Sequence, residues 1–207
     1  MRKLHVITAR ANPFLYKTPQ AIYERWVSHI LEQENVELTV VELQYGDRPV
    51  CCKIDHPRVK HIEVRANSVL WSKENLINGG IAHNPEAKYF AWIDSDIFFR
   101  ERDWAKKAVE ALQFHPIIQP WKHCYDLGPN NEHMQLHESF CSLYYEGKEI
   151  RNGHEGYTFA HPGYAWAATR DALDKLGGLI DFAILGSGDQ HMAMSLIGKC
   201  QDSYPGN

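Results

Sequence analysis

An α/β fold, with a mostly parallel central sheet flanked by helices, is what this sequence predicts. In the first half of the chain, short apolar runs alternate with longer segments whose apolar residues recur every three or four positions. Strands that alternate with helices in this way build parallel sheets with helices on both faces. One run, Tyr89-Phe90-Ala91-Trp92-Ile93, is apolar without alternation. That is the pattern of a strand buried on both faces.

Residues 4–9 form a first apolar run, broken by Asn12-Pro13, and read as a buried strand leading into a loop. Thr18-Pro19 has the form of an N-cap followed by proline at the first helical position. The helix it opens is expected over 19–34, where Ile22, Trp26, Val27, Ile30 and Leu31 recur at helical spacing. Residues 37–43 alternate and are rich in valine, a second strand; 59–64 is a third. A helix is expected over 71–81, with Gly79-Gly80 marking its end. The buried strand spans 88–93, a helix 102–114 and a further strand 117–121. Residues 124–156, polar and rich in histidine and glycine, read as loops and short edge strands. A helix over 171–176 closes at Gly177-Gly178, and 189–196 is the last helix. No internal repeat or low-complexity linker interrupts the chain, so a single domain over 1–207 is expected.

Composition narrows the class. The chain has 207 residues, enough for one domain with a sizeable core. Its 44% hydrophobic and 23% charged residues are ordinary for a soluble globular protein. A formal net charge of -4 supplies no basic footprint, which argues against nucleic acid as the partner. Arg2-Lys3 is not followed by a long apolar run, so no signal peptide is read, and no stretch approaches the roughly 20 apolar residues of a membrane span. The expected location is the cytoplasm. Five cysteines in irregular spacing, without C-x-x-C, fit a reduced compartment and argue against a zinc site built from thiols.

The strongest chemical feature follows the buried strand, where Ile93 runs directly into Asp94-Ser95-Asp96. In extended chain, residues two apart point to the same side, so both carboxylates converge at the mouth of the sheet. Two such carboxylates repel and raise each other's pKa unless a cation sits between them. Mg²⁺ and Mn²⁺ favour these oxygen ligands and leave positions open for phosphate. The plainer reading of D-x-D is a polar loop start.

With Trp71-Ser72-Lys73-Glu74-Asn75-Leu76-Ile77-Asn78-Gly79-Gly80 ahead of it, this D-x-D strand resembles GT-A glycosyltransferases. The resemblance implies the GT-A fold, a nucleotide-diphosphate sugar as donor and a divalent cation, Mn²⁺ or Mg²⁺. Asp96 would bind the metal, and Asp94 would contact the nucleotide ribose or the metal through water. Lys73 and Asn78 sit where the family often contacts the donor, although a solvated helix face and a C-cap would also account for them. A donor half over about 1–120 and an acceptor half over about 121–207 follow.

A second signature runs from Gly163-Tyr164-Ala165-Trp166 through Leu176-Gly177-Gly178-Leu179 and Asp181 to Gly186-Ser187-Gly188-Asp189-Gln190-His191. It is similar to the acceptor half of GT-A enzymes of the family-2 and galactosyltransferase kinds. An acceptor hydroxyl, from a glycan or a small molecule, is a weak nucleophile at neutral pH, and a carboxylate within reach can take its proton. Asp189 is the candidate base, with Asp181 and Glu155 next in line; as a plain alternative, Asp189 caps its helix. Gly188 lets a ligand approach the backbone, and Trp166 offers a flat face for a sugar ring, unless it is simply core. Many GT-A enzymes complete the metal shell with a histidine near the C-terminus. Here either His191 does so, or water does, or the chain is truncated: it stops soon after, at Tyr204-Pro205-Gly206-Asn207, which departs from the family's pattern.

Other readings are weaker. His133 and His137, spaced i, i+4, would bind zinc on one helix face, but the order is not H-E-x-x-H. No P-loop, G-x-S-x-G or G-x-G-x-x-G is present. A nucleotidyltransferase is the rival enzyme, although Ala9-Arg10-Ala11-Asn12-Pro13 supplies no phosphate-binding glycine. A nucleotide-sugar-binding module without turnover is the rival outside enzymes. With one base and no second nucleophile, direct displacement with inversion is expected.

Overall fold

The computed structural model describes residues 2–148, 150 and 160–203. Two compact units emerge, one of Met1–Ile118 with Tyr164–Gly186, the other of Gln119–Gly163 with Ser187–Asn207.

The first unit opens with strand β1 (Leu4–Ala11), helix α1 (Lys17–Leu31), and strands β2 (Val36–Tyr45) and β3 (Val59–Ala66). Helix α1 starts before the expected Thr18-Pro19 cap. Tyr16 is its N-cap residue, and Pro19 lies within the first turn, where its missing N–H costs nothing because the first four are unpaired in any helix. Tyr23, Trp26, Val27 and Ile30 form its buried face. Helix α2 (Lys73–Ala82) follows, then β4 (Tyr89–Ile93), α3 (Trp104–Ala111) and the two-residue β5 (Ile117–Ile118).

Gly79-Gly80 does not end α2, as their sequence suggested; the helix passes through both and stops at His83. The reason for Gly80 is close packing on the sheet, since a Cβ there would sit 2.6 Å from Ile7 Cγ2 and 3.2 Å from Val41 Cγ2.

Residues 123–145 belong to the second unit: strands β6 (His123–Leu127) and β7 (His133–Glu138) pair antiparallel, and helix α4 (Phe140–Tyr145) follows. His133 and His137 therefore lie on a strand, not a helix face. His137 is buried with Nε2 2.9 Å from Asp126 Oδ2, and His133 stacks on Tyr125.

The chain then contributes β8 (Ala165–Thr169) and α5 (Arg170–Leu176) to the first unit and α6 (Gly188–Leu196) to the second. Strand β8 was not expected; its Ala-rich sequence carries little strand propensity.

The six-stranded sheet has the order β3-β2-β1-β4-β8-β5. Strands β3, β2, β1 and β4 are parallel, and β8 runs antiparallel between β4 and β5. Successive strands step outward from β1 to β3, and the chain then returns to β1's other side as β4. The boundary between β1 and β4 is thus the topological switch point, where crevices open beyond the strand ends. Leu4, Val6 and Ile7 of β1 and Phe90, Ala91 and Ile93 of β4 are buried at this centre.

Candidate functional site

The acidic pair leaves the sheet at that switch point. Strand β4 ends at Ile93, and the chain turns at once: the Asp94 N–H donates to Tyr164 O at 2.9 Å, and the Ile97 N–H donates to Asp94 O at 3.1 Å. Behind the turn the chain is anchored to the core. The Phe99 N–H donates to His29 Nε2 at 2.9 Å, and the Phe99 ring stacks on Trp104 at 4.1 Å.

Lys73, the first residue of α2, forms an ion pair with Asp94 Oδ1. Both side chains are partly exposed, at 25% and 31%, so the pair lies at the mouth of the crevice rather than in the core. Asp96 is open to solvent. Its carboxyl is nevertheless pushed up from the usual range, first by the protein packed around it and then by the negative charge of Asp94. Its own backbone hydrogen bond, Lys73 and Arg10 oppose that shift.

This donor set fits a divalent cation. The negative charge of Asp94 opposes the ionisation of Asp96, and a hard cation would reverse that penalty. Among the described residues no cluster of three or more His, Cys, Asp or Glu side chains could hold a metal. The two aspartates would fill part of an oxygen shell, with phosphate and water as the remainder, as is usual for Mg²⁺.

Arg10, at the end of β1, is a site residue that sequence reading missed. It is buried, donates from Nη1 to Ser95 Oγ at 2.9 Å and from Nη2 to Pro19 O at 3.3 Å, and lies over the Tyr23 ring. The available signal was a lone arginine one residue before the end of a largely apolar strand.

The other expected contacts divide. Asn78 spends its side-chain amide within the fold: Nδ2 donates to Leu179 O at 2.9 Å, and Oδ1 accepts from Leu179 N–H at 2.8 Å. Gly178, at φ 97°, lets the amide come this close. A donor contact by Asn78 would have to displace one of these bonds. Trp166, the second residue of β8 and the register partner of Trp92, is 2% exposed. Its ring is core, and the sugar-stacking role expected of it does not survive that burial. Asp181 is exposed in the first unit.

In the second unit, Asp189 is the second residue of α6 and not its cap; Ser187 holds the N-cap position at φ 66° without a side-chain capping bond. Asp189 Oδ1 accepts from the Gln190 N–H at 2.8 Å. Its Oδ2 would lie 2.9 Å from any Cβ at position 163, so Gly163 is required for that approach. Gly188 is buried as the first residue of α6, and His191 Nδ1 lies 2.7 Å from Ser203 Oγ. Glu155 lies outside the described residues. All five cysteines are free, and burial pushes the Cys52 and Cys141 thiols up to about 11, which keeps them protonated and inert.

Solved structures similar to this chain include a mannosyltransferase and a protein that holds UDP-GlcNAc. The chain matches the mannosyltransferase PcManGT from Pyrobaculum calidifontis, in complex with GDP-Man and Mn²⁺, with TM-score 0.54 and 19% identity over 95% of this chain and 52% of that one. It matches S. aureus TarS 1-349 in complex with UDP-GlcNAc with TM-score 0.57 and 11% identity, over 93% of this chain and 52% of that one. The chain has the GT-A fold. It spans about half the length of these solved chains. No protein-family model and no curated protein sequence matches it. Among the described residues no helix is long and apolar enough to cross a membrane.

Proposed function

We propose that the protein transfers a sugar from a nucleoside-diphosphate donor to a hydroxyl acceptor, with a divalent cation at Asp94 and Asp96. The observation that carries this is the acidic turn at the switch point of a GT-A sheet, with Lys73 paired to Asp94. The GDP-Man and Mn²⁺ of the similar mannosyltransferase support both the donor class and the cation.

Asp94 and Asp96 would hold the cation, which when bound offsets the charge gathering on the departing diphosphate. Lys73 adds a positive charge beside Asp94 and can exchange that partner for a phosphate oxygen. Asp189 is the proposed base. It takes the proton of the acceptor hydroxyl while that oxygen bonds to the anomeric carbon and the bond from that carbon to the diphosphate oxygen breaks. Its support is a place in the first turn of α6, where Oδ1 accepts from the Gln190 N–H and Oδ2 faces Gly163. With Asp189 as the one proposed base and no second nucleophile assigned among the described residues, the proposed displacement is inverting.

The test is a melting screen of GDP- and UDP-sugars with and without Mn²⁺, followed by assay of transfer. A ligand that binds only the folded state stabilises it by linkage, about 2.7 kcal/mol at one hundred times its dissociation constant. A metal-dependent rise in melting temperature for wild type, absent in Asp96→Ala, is expected. Equal stabilisation in EDTA and in Mn²⁺ would remove the cation, and no stabilisation by any nucleotide sugar would remove the donor reading.

A further inference from the structure

The environment of Arg10 is out of proportion to a filler at a strand end. Its guanidinium is buried, and among the described residues it forms no ion pair. Its Nε has no hydrogen-bond partner there either. The buried Glu42 stands opposite it in register on β2 but is taken up by the Cys51 and Cys52 N–H groups and His61, so the guanidinium sends its own hydrogen bonds elsewhere, at the cost that burying a charge carries. Its hydrogen bonds to Ser95 and Pro19 lead to the rim of the switch-point crevice. One arm of the fork reaches Ser95, the residue between the two aspartates, and the other reaches Pro19 O in the first turn of α1.

A second network meets the same guanidinium from behind. Arg10 lies 4.8 Å from the centre of the Tyr23 ring, and the Tyr23 hydroxyl donates to Cys52 O at 2.7 Å. Glu42, buried on β2 beside β1 in register with Arg10, accepts from the Cys51 N–H at 2.8 Å and the Cys52 N–H at 3.0 Å, and lies 2.9 Å from His61 Nε2. The loop after β2 is therefore clamped by backbone bonds to buried side chains. Arg10 stands between that loop and the acidic turn, and only a planar, multi-donor head group can serve both Ser95 and Pro19 from one position.

We infer that Arg10 is a positioning residue of the donor site, a buried strut that holds Ser95 so that Asp94 and Asp96 face a common ligand, and that ties this turn to the clamped Cys51–Cys52 loop. The inference rests on the donor-site reading above and extends it to a residue that need not touch the donor. Without Arg10 the Ser95 hydroxyl loses its partner, and the two carboxylates are free to swing apart. The fold would persist, because Arg10 is not part of the apolar core of β1.

The experiment is an electron paramagnetic resonance titration of Mn²⁺ in the presence of GDP or UDP, on wild type, Arg10→Met, Arg10→Lys and Ser95→Ala, each first checked for cooperative melting. Wild type is expected to take up Mn²⁺ with the nucleotide. Arg10→Met should weaken that uptake tenfold or more. Arg10→Lys, which keeps the charge but not the fork, should recover only part of the loss. A folded Arg10→Met that binds within twofold of wild type overturns the inference and leaves the donor-site reading intact. If wild type itself takes up no Mn²⁺ with either nucleotide, the donor-site reading fails and the inference fails with it. Should Arg10→Met not fold, Ser95→Ala decides by the same titration: weakened uptake supports the strut, and unchanged uptake overturns it.

Discussion

Replacing Asn78 by alanine separates a donor contact from a structural peg. Asn78 makes two hydrogen bonds to one residue, Nδ2 to Leu179 O at 2.9 Å and Oδ1 from Leu179 N–H at 2.8 Å. A neutral hydrogen bond contributes about 1 ± 0.5 kcal/mol net, so losing both costs about 1–3 kcal/mol. Leu179 itself is buried, so its abandoned N–H and carbonyl are left without a ready partner, which favours the upper part of that range. For a chain of this size, about 2–4 °C of melting temperature accompanies each kcal/mol, giving a fall of about 2–12 °C. Asn78→Asp should cost at least as much. It retains an acceptor for the Leu179 N–H but sets a negative oxygen against the Leu179 carbonyl. The assay is thermal melting beside calorimetric titration with a nucleotide diphosphate and Mn²⁺. With its amide committed to Leu179, folded Asn78→Ala should bind nucleotide within about twofold of wild type. A variant that melts like wild type yet loses nucleotide affinity would refute this and make Asn78 a donor contact.

The neighbouring glycines of α2 should respond with opposite signs. Gly80→Ala forces a Cβ to 2.6 Å from Ile7 Cγ2, and overpacking of about 1–3 kcal/mol should outweigh the ~1 kcal/mol gained in helix propensity. Gly79→Ala meets nothing within 4 Å and should stabilise by up to ~1 kcal/mol; denaturant melts of the pair check the contrast. Acid should loosen the segment behind the acidic turn through His29, whose pKa is lowered by burial and whose Nε2 accepts from the Phe99 N–H. Because the folded pKa lies below the ordinary value near 6.5, this contribution is whole above about pH 6.5 and declines as pH falls from there toward the folded pKa. Wild type should therefore lose more stability between pH 7.5 and 5.5 than His29→Gln, and parallel pH–stability curves would contradict the assignment. Asp189→Asn should leave donor affinity near wild type while transfer falls by about 10²–10⁴, as removal of a positioned base does. Wild-type rates in that folded variant would send the search for the base elsewhere.

Local pattern was enough for the α/β class and for the acidic turn. The unbroken apolar run of β4 announces burial on both faces, and Asp94 and Asp96 follow it directly, although on a turn rather than in the extended chain that the alternation argument assumed. The two neighbouring carboxylates and Lys73 at the head of the next helix upstream were therefore legible as charges in sequence, whereas the turn that carries the aspartates was not. What lay beyond reach depends on partners distant in the chain. Strand β8 has an alanine-rich sequence with weak propensity, and it becomes a strand because β4 and β5 leave a place between them. That placement buries Trp166, which local sequence would as readily have offered to a sugar. Gly80 reads as a helix stop until Ile7 and Val41 are seen pressed against it. Arg10 and Ser95 are 85 residues apart, and nothing in either stretch records the other. Composition and periodicity fix what a segment can bury; only the assembled sheet decides which buried polar group meets which, because that depends on strand order and register.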